Sequence, residues 1–314
     1  MSSAVRFQVP VPPLKPLARP SWLPAEVWPF KTMMLDVDRA SIAVTEAGRG
    51  PSLIFYTGIG QFVWRDVIAR LAPEFHCVTL DPPGIGLSAP VTRSEATLQH
   101  SAAAVGAVID ALDLRDFTLV AHDSGGPPSI AAVARQHQRF QGLQGLQGLR
   151  GIVGVNTFGW RPEGPAFRGM LAVIGSGLTR QISLSTGVLS RVTASSFGVG
   201  RHLDAASRRA FQTGLQKSMS SFHDYLNDAR SSDLYDELER AFAGPLARVP
   251  LLTIFGERND PLGFQPMWKA LYPNAVQLVI PKGNHFPMCD DPDFLADQIR
   301  SWHREIGPAQ EKRP

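Results

Sequence analysis

Residues 117–129 read FTLVAHDSGGPPS, an apolar run that stops at a polar residue flanked by small ones. Residues 117–121 are rich in β-formers and short enough for a buried strand, and from Ser129 to Arg135 helix-forming alanines return. A sharp turn therefore falls at Asp123. A strand-turn-helix elbow that presents a nucleophile crowds its own backbone and needs small residues two before and two after the presented side chain. Ala121 and Gly125 meet that need around Asp123. With Ser124 as the presented residue, His122 occupies a place that needs a small side chain, although Gly126 suits the other side. The register favours Asp123. The plainer alternative is an Asx turn that caps the following helix, with Asp123 accepting backbone N–H bonds.

A chain of 314 residues with 44% hydrophobic content buries one large α/β core with an inserted subdomain, or two ordinary domains. No apolar run reaches the length that crosses a bilayer, and the N-terminus lacks the apolar segment of a secretory signal, so a cytoplasmic protein with no membrane partner is expected. Cys77 and Cys289 lie far apart with neither metal-ligand nor redox spacing, which predicts two free thiols. The net charge of +3 is spread over dispersed Lys and Arg, which argues against a nucleic-acid partner.

Residues 1–30 carry seven prolines, which remove backbone donors and fix φ, so an extended arm without regular structure is predicted, pinned onto the body by Trp22, Trp28 and Phe30. Residues 31–158 alternate short apolar runs with helical patterns. The runs MMLDVD, SIAVTEA, SLIFYT and residues 75–80 read as strands, with a helix over 62–71, a glycine-proline loop DPPGIGLS over 81–88, and a helix over 97–112 ahead of the elbow. The triplet repeat QGLQGLQGL over 141–149 precedes a strand-like GIVGVN; it reads as a tolerated loop insertion, being too short in period for a solenoid. Residues 159–244 break the alternation with amphipathic helical stretches, clearest over 201–221 and 231–243, and predict a helical cap that shapes the substrate pocket. The alternation resumes over 245–306 with PLLTIFG, AVQLVI and two helices, and residues 307–314 form a polar tail. The expected fold is α/β: an eight-stranded, mostly parallel sheet with helices on both faces.

Open α/β sheets carry their sites in loops beyond the carboxyl ends of the strands. Three such loops hold Asp123, then Asp260 in GERNDP, then His285 in GNHFP. The chain order is nucleophile, acid, histidine. With that order, the YTGIG loop and DPPGIGLS, the chain from Lys31 to Trp302 resembles the α/β-hydrolase superfamily. Through VAHDSGGP, NTFGW, FGERNDPLGF and PKGNHFP it is most similar to haloalkane dehalogenases and epoxide hydrolases, which use aspartate where esterases use serine. The resemblance implies a hydrolase acting on a small apolar alkyl halide or epoxide through an ester on Asp123. His285, supported by Asp260, activates the water that cleaves that ester. The backbone N–H groups of Ile59 and Ser124 are the implied oxyanion donors. Substrate and water are then the only partners expected. No cofactor or metal is required, and neither HExxH nor clustered Cys and His occurs.

The resemblance breaks at the leaving group. The halide-binding Trp and Asn of dehalogenases are Ser124 and Ile59 here, and Thr57 replaces the family's histidine. Trp160 and Asn156 are the substitute candidates for holding a halide. Tyr225 and Tyr235, in the predicted cap, are the candidates for the acid that epoxide opening needs. A Ser124-dependent esterase or lactonase and a non-catalytic binding protein are the alternatives.

Overall fold

A computed structural model describes residues 13–141, 148–260 and 262–307. The first twelve residues of the arm, most of the triplet repeat and residues 308–314 of the tail lie outside the described residues.

Nine strands form one sheet: β1 (Lys15–Pro16), β2 (Thr32–Val37), β3 (Ala40–Ala47), β4 (Ser52–Thr57), β5 (His76–Leu80), β6 (Phe117–His122), β7 (Leu149–Val155), β8 (Leu251–Gly256) and β9 (Val276–Ile280). Their order is β1-β2-β3-β5-β4-β6-β7-β8-β9, with the first three pairings antiparallel and the other five parallel. Strands β2 to β9 are the eight expected from the hydrophobic pattern. The ninth corrects the reading of the arm as free of regular structure: Lys15 and Pro16 pair with Met34 and Met33 at the sheet edge, where a proline's missing N–H costs no ladder bond.

Alternation along β4 explains the layering. Ile54 and Tyr56 face a core shared with helices Leu98–Ala111 and Gly126–Gln141, whereas Leu53 and Phe55 face one shared with helices Arg65–Leu71 and Pro292–Glu305. Successive side chains on a strand point to opposite faces, so a continuous apolar run fills both cores at once. Helix Gly126–Gln141 begins GPP, which its first turn tolerates because those positions have no intrahelical N–H bond to lose.

Residues 22–30 of the arm pack onto the body through their aromatic side chains. Trp28 is buried, stands edge-on to Phe30 and stacks at 6.2 Å on Phe62, while a Cβ on Gly214 would lie 2.9 Å from the Trp22 ring. Between β7 and β8 the chain forms no strand: helices Pro165–Ile174, Gly177–Thr186, Val188–Thr193, Ala205–Lys217, Met219–Asp228 and Leu234–Ala243 fill the interval.

Candidate active site

The turn after β6 presents Asp123. It sits at φ 48°, in the left-handed region that few non-glycine residues adopt, and its surroundings hold it there. The constraint is visible on both sides. A Cβ on Gly125 would lie 2.5 Å from the Thr57 Cα, so only glycine lets the elbow lie against the end of β4. The Thr157 hydroxyl donates to the Asp123 carbonyl at 2.6 Å, and the Tyr225 hydroxyl donates to the Ser124 carbonyl at 2.5 Å.

His285 comes to Asp123 from the far end of the chain. Its Nε2 stands 3.6 Å from Asp123 Oδ2, and both side chains keep solvent access, at 35% and 39% exposure. Burial of its surroundings opposes ionisation of Asp123. The charge and hydrogen bond of His285, aided by His122 and the Ser124 N–H, outweigh it and hold the carboxyl well below the usual carboxylate range. Ser124 is only 5% exposed, and its hydroxyl has no hydrogen-bond partner among the described residues. The elbow therefore offers a carboxylate to His285 and turns the neighbouring hydroxyl inward.

Asp260 is not brought to His285. Its two carboxylate oxygens accept from the backbone N–H groups of Phe264 at 2.6 Å and Gln265 at 2.9 Å, so it satisfies free N–H groups at the start of helix Phe264–Leu271, whose N-cap position is Gly263. This corrects its placement as the group beside the histidine; satisfying a helix's free N–H groups is the commoner use of such a residue. The neighbour Asn259 stands there instead, with its side-chain amide nitrogen 3.1 Å from His285 Nδ1. A half-turn of that amide puts Asn259 Oδ1 in the same place. An amide oxygen there accepts from Nδ1–H and leaves Nε2 free as a base; an amide nitrogen there requires the opposite tautomer.

His122 holds the histidine loop in place. Its Nε2 lies 2.8 Å from the His285 carbonyl, and a carbonyl only accepts, so Nε2 carries the proton. Its Nδ1 then accepts from the Thr57 hydroxyl at 3.1 Å. Burial, with the nearby charge of His285, pushes the His122 pKa down to about 3 and keeps the ring neutral. Thr57 thus ties β4 to the elbow.

Asn156 is drawn into the same scaffold and is not free to bind a leaving anion. Its amide nitrogen donates to the carbonyls of Asn284 and His285, both at 2.9 Å, and its oxygen accepts from the Gly256 N–H at 2.9 Å. Tyr225 uses its one proton on the Ser124 carbonyl, and the Tyr235 hydroxyl donates to the Ala229 carbonyl at 2.7 Å. Burial raises the pKa of both phenols. Trp160 packs edge-to-face on Phe264 and Trp268, and its indole N–H makes no hydrogen bond among the described residues.

Asp81 supports the loop that carries Ile59. It accepts from the Gln61 backbone N–H at 2.6 Å, the Gln61 side chain at 2.8 Å and the Leu87 N–H at 2.7 Å, joining the loop after β4 to the DPPGIGLS loop. Burial drives its pKa up to about 6 against the pull of those donors. Asn259, His122, Thr157 and Asp81 were not singled out by sequence reasoning. Each lies within or beside a quoted motif, but only contacts across the sheet give it a role.

The sequence profile of the Alpha/beta hydrolase family matches residues 48–298. The chain belongs to the alpha/beta hydrolase family. This alpha/beta hydrolase is 26% identical over 283 residues to a haloalkane dehalogenase of Mycobacterium tuberculosis, across 87% of this chain and 95% of the relative. A haloalkane dehalogenase from Bradyrhizobium elkani superposes with a TM-score of 0.72 at 20% identity, covering 90% of this chain and all of the other. An epoxide hydrolase from Vigna radiata superposes with a TM-score of 0.70 at 18% identity, covering 89% and 99%. The solved structures share the fold, and the sequence similarity is to haloalkane dehalogenases.

Proposed function

We propose that this hydrolase uses Asp123 as its nucleophile and passes through a covalent alkyl ester, with a small apolar alkyl halide or epoxide as substrate. The observation that carries the reading is the elbow: a strained Asp123 with its carboxylate 3.6 Å from His285 Nε2, next to a Ser124 whose hydroxyl is buried and has no partner among the described residues. A carboxylate held well below its usual pKa is ionised without help from a base and attacks a saturated carbon directly.

One Asp123 oxygen forms a bond to carbon as the bond to the leaving group breaks, and the electron pair departs with the halide or with the epoxide oxygen. His285 Nε2 then takes a proton from water, whose oxygen attacks the ester carbonyl of Asp123. The negative charge on that carbonyl oxygen is met by the backbone N–H groups of Ile59 and Ser124. Collapse releases the alcohol and regenerates the carboxylate. Asn259 orients the ring through Nδ1, the role an asparagine takes in some cysteine-histidine sites. The helical segment between β7 and β8 serves as the cap over the pocket.

Of the two substrate classes the halide agrees better with the hydroxyl groups. A halide leaves as a stable anion without a proton, whereas an opened epoxide needs an acid, and Tyr225 and Tyr235 both donate to backbone carbonyls. Trp160 is the one candidate of the four with an unengaged donor, and it is proposed as the halide's partner.

Intact-protein mass spectrometry of His285→Ala with panels of halides, epoxides and esters tests the reading. The variant retains attack and loses ester hydrolysis, so an adduct on Asp123 is expected, its mass reporting halide loss or epoxide addition. An adduct on Ser124 instead, or active wild type with no trapped ester at all, rejects the aspartate mechanism.

A further inference from the structure

The described residues expose twelve large apolar side chains, and eight of them fall between positions 170 and 197. Such residues scattered singly over a surface are ordinary; here they are gathered on consecutive helices that pack on one another, which concentrates exposed apolar surface in one part of the molecule. Their spacing is helical. Met170 and Val173 share a face of helix Pro165–Ile174, Leu178 and Ile182 share one of Gly177–Thr186, and Val192 follows on Val188–Thr193. Exposure reaches 66% at Val173, 70% at Leu178 and 86% at Phe197, beyond the last of these helices.

The charge of the same stretch is one-sided. Residues 164–203 hold four arginines and no aspartate or glutamate. Arg180 and Arg201 reach back to Asp224 and Asp290, at 3.7 and 3.8 Å. Arg168 and Arg191 are exposed and have no carboxylate partner among the described residues.

We propose that this face docks the protein onto an anionic lipid surface, lying in the interface with Phe197 and the apolar helix faces inserted and the arginines at the level of the headgroups. The chemistry is that of an interfacial element: apolar side chains on one face, cations flanking them, and no acid within residues 164–203. No described helix is long and apolar enough to cross a membrane, and interfacial docking needs none. A second copy of the chain fits the patch less well. A two-fold interface sets the patch against itself, and with no acid within it the arginines find no opposite charge. The inference goes beyond the hydrolase reading and is independent of which bond the site breaks.

Flotation of the full chain with phosphatidylcholine vesicles, with and without phosphatidylserine, tests it. The protein is expected to float with the serine-containing vesicles and to release at high salt, since headgroup attraction is screened. The double change Phe197→Ser and Leu178→Ser is expected to cut the bound fraction roughly tenfold or more. Arg168→Glu with Arg191→Glu is expected to abolish only the preference for phosphatidylserine. All four residues are exposed, so the unfolding midpoint serves as the control for folding, and the arginine pair carries the test if the apolar pair fails it. Wild type that floats with neither vesicle overturns the proposal. So does a dimer in sedimentation equilibrium that the Phe197 change disperses, which gives the face to a second copy. Equal, salt-independent binding to both vesicles overturns the headgroup part.

Discussion

Asn259 and Asp260 are adjacent and do different things. The asparagine amide meets His285 Nδ1, and the aspartate binds the first free N–H groups of a helix. In the proposed mechanism, an amide in that place orients the ring but lends no charge to the imidazolium that forms when Nε2 takes a proton. Asn259→Asp supplies that charge and selects the tautomer with Nε2 free. Steady-state turnover is therefore expected to rise on the order of tenfold or more. Asp260→Ala is expected to cost about 1 kcal/mol of stability through loss of those bonds, with little change in turnover. Abolished turnover in a folded Asp260→Ala protein sinks this division of roles. The sequence shows that a polar pair ends the turn after β8. It does not show which member points at the histidine, because that depends on where helix Phe264–Leu271 begins and on how the loop after β9 returns.

At the scale of elements, the elbow is held by the close approach of backbones. A Cβ on Gly125 meets the Thr57 Cα at 2.5 Å and the Gly58 N at 2.9 Å, both main-chain atoms that cannot swing aside. Gly125→Ala is expected to cost about 2–3 kcal/mol in denaturant unfolding, at the upper end for overpacking. Gly177→Ala, whose Cβ meets nothing within 4 Å, is expected to stay within about 0.5 kcal/mol of wild type. Equal effects of the two changes remove the steric account of the elbow.

The segments around the site carry two buried groups whose pH dependences oppose one another. Asp81 is raised from 3.8 to about 6, so its contribution to stability is present below about pH 4 and is lost as pH rises through about 6. His122 is lowered from 6.5 to about 3, so its contribution is present above 6.5 and is lost as pH falls towards about 3. Between about pH 4 and 6 the two partly cancel. Asp81→Asn removes one side of that balance. The variant is expected to lose stability on acidification more steeply than wild type, by up to about 1.4 kcal/mol per pH unit, the limit for one proton. Parallel stability curves for variant and wild type from urea titrations across this window refute the assignment to Asp81. None of this follows from the motif DPPGIGLS, which marks a loop; the three donors that converge on Asp81 come from two loops that only the sheet brings together.

For the whole molecule, the vesicle experiment bears on what the helices between β7 and β8 do besides the proposed role as a cap. Their outward faces are legible in outline as amphipathic stretches, but the stretch over 165–193 carries apolar residues on the side that the fold leaves uncovered. Periodicity reports that a helix has an apolar face and not whether anything packs on it. What the sequence by itself determined was the alternation of eight strands with helices and the presentation of Asp123. Both are encoded locally: apolar runs long enough for two buried faces, and small residues wherever a turn brings backbones together. What only the tertiary structure decided was the pairing of Lys15 and Pro16 with the sheet edge, Asn259 rather than Asp260 at His285, the role of His122 in holding the histidine loop, and the engagement of Asn156, Tyr225 and Tyr235 by backbone groups. Each of these depends on which atoms meet across the fold. A hydrogen bond takes its partner from distance and direction in space, which spacing along the chain does not specify.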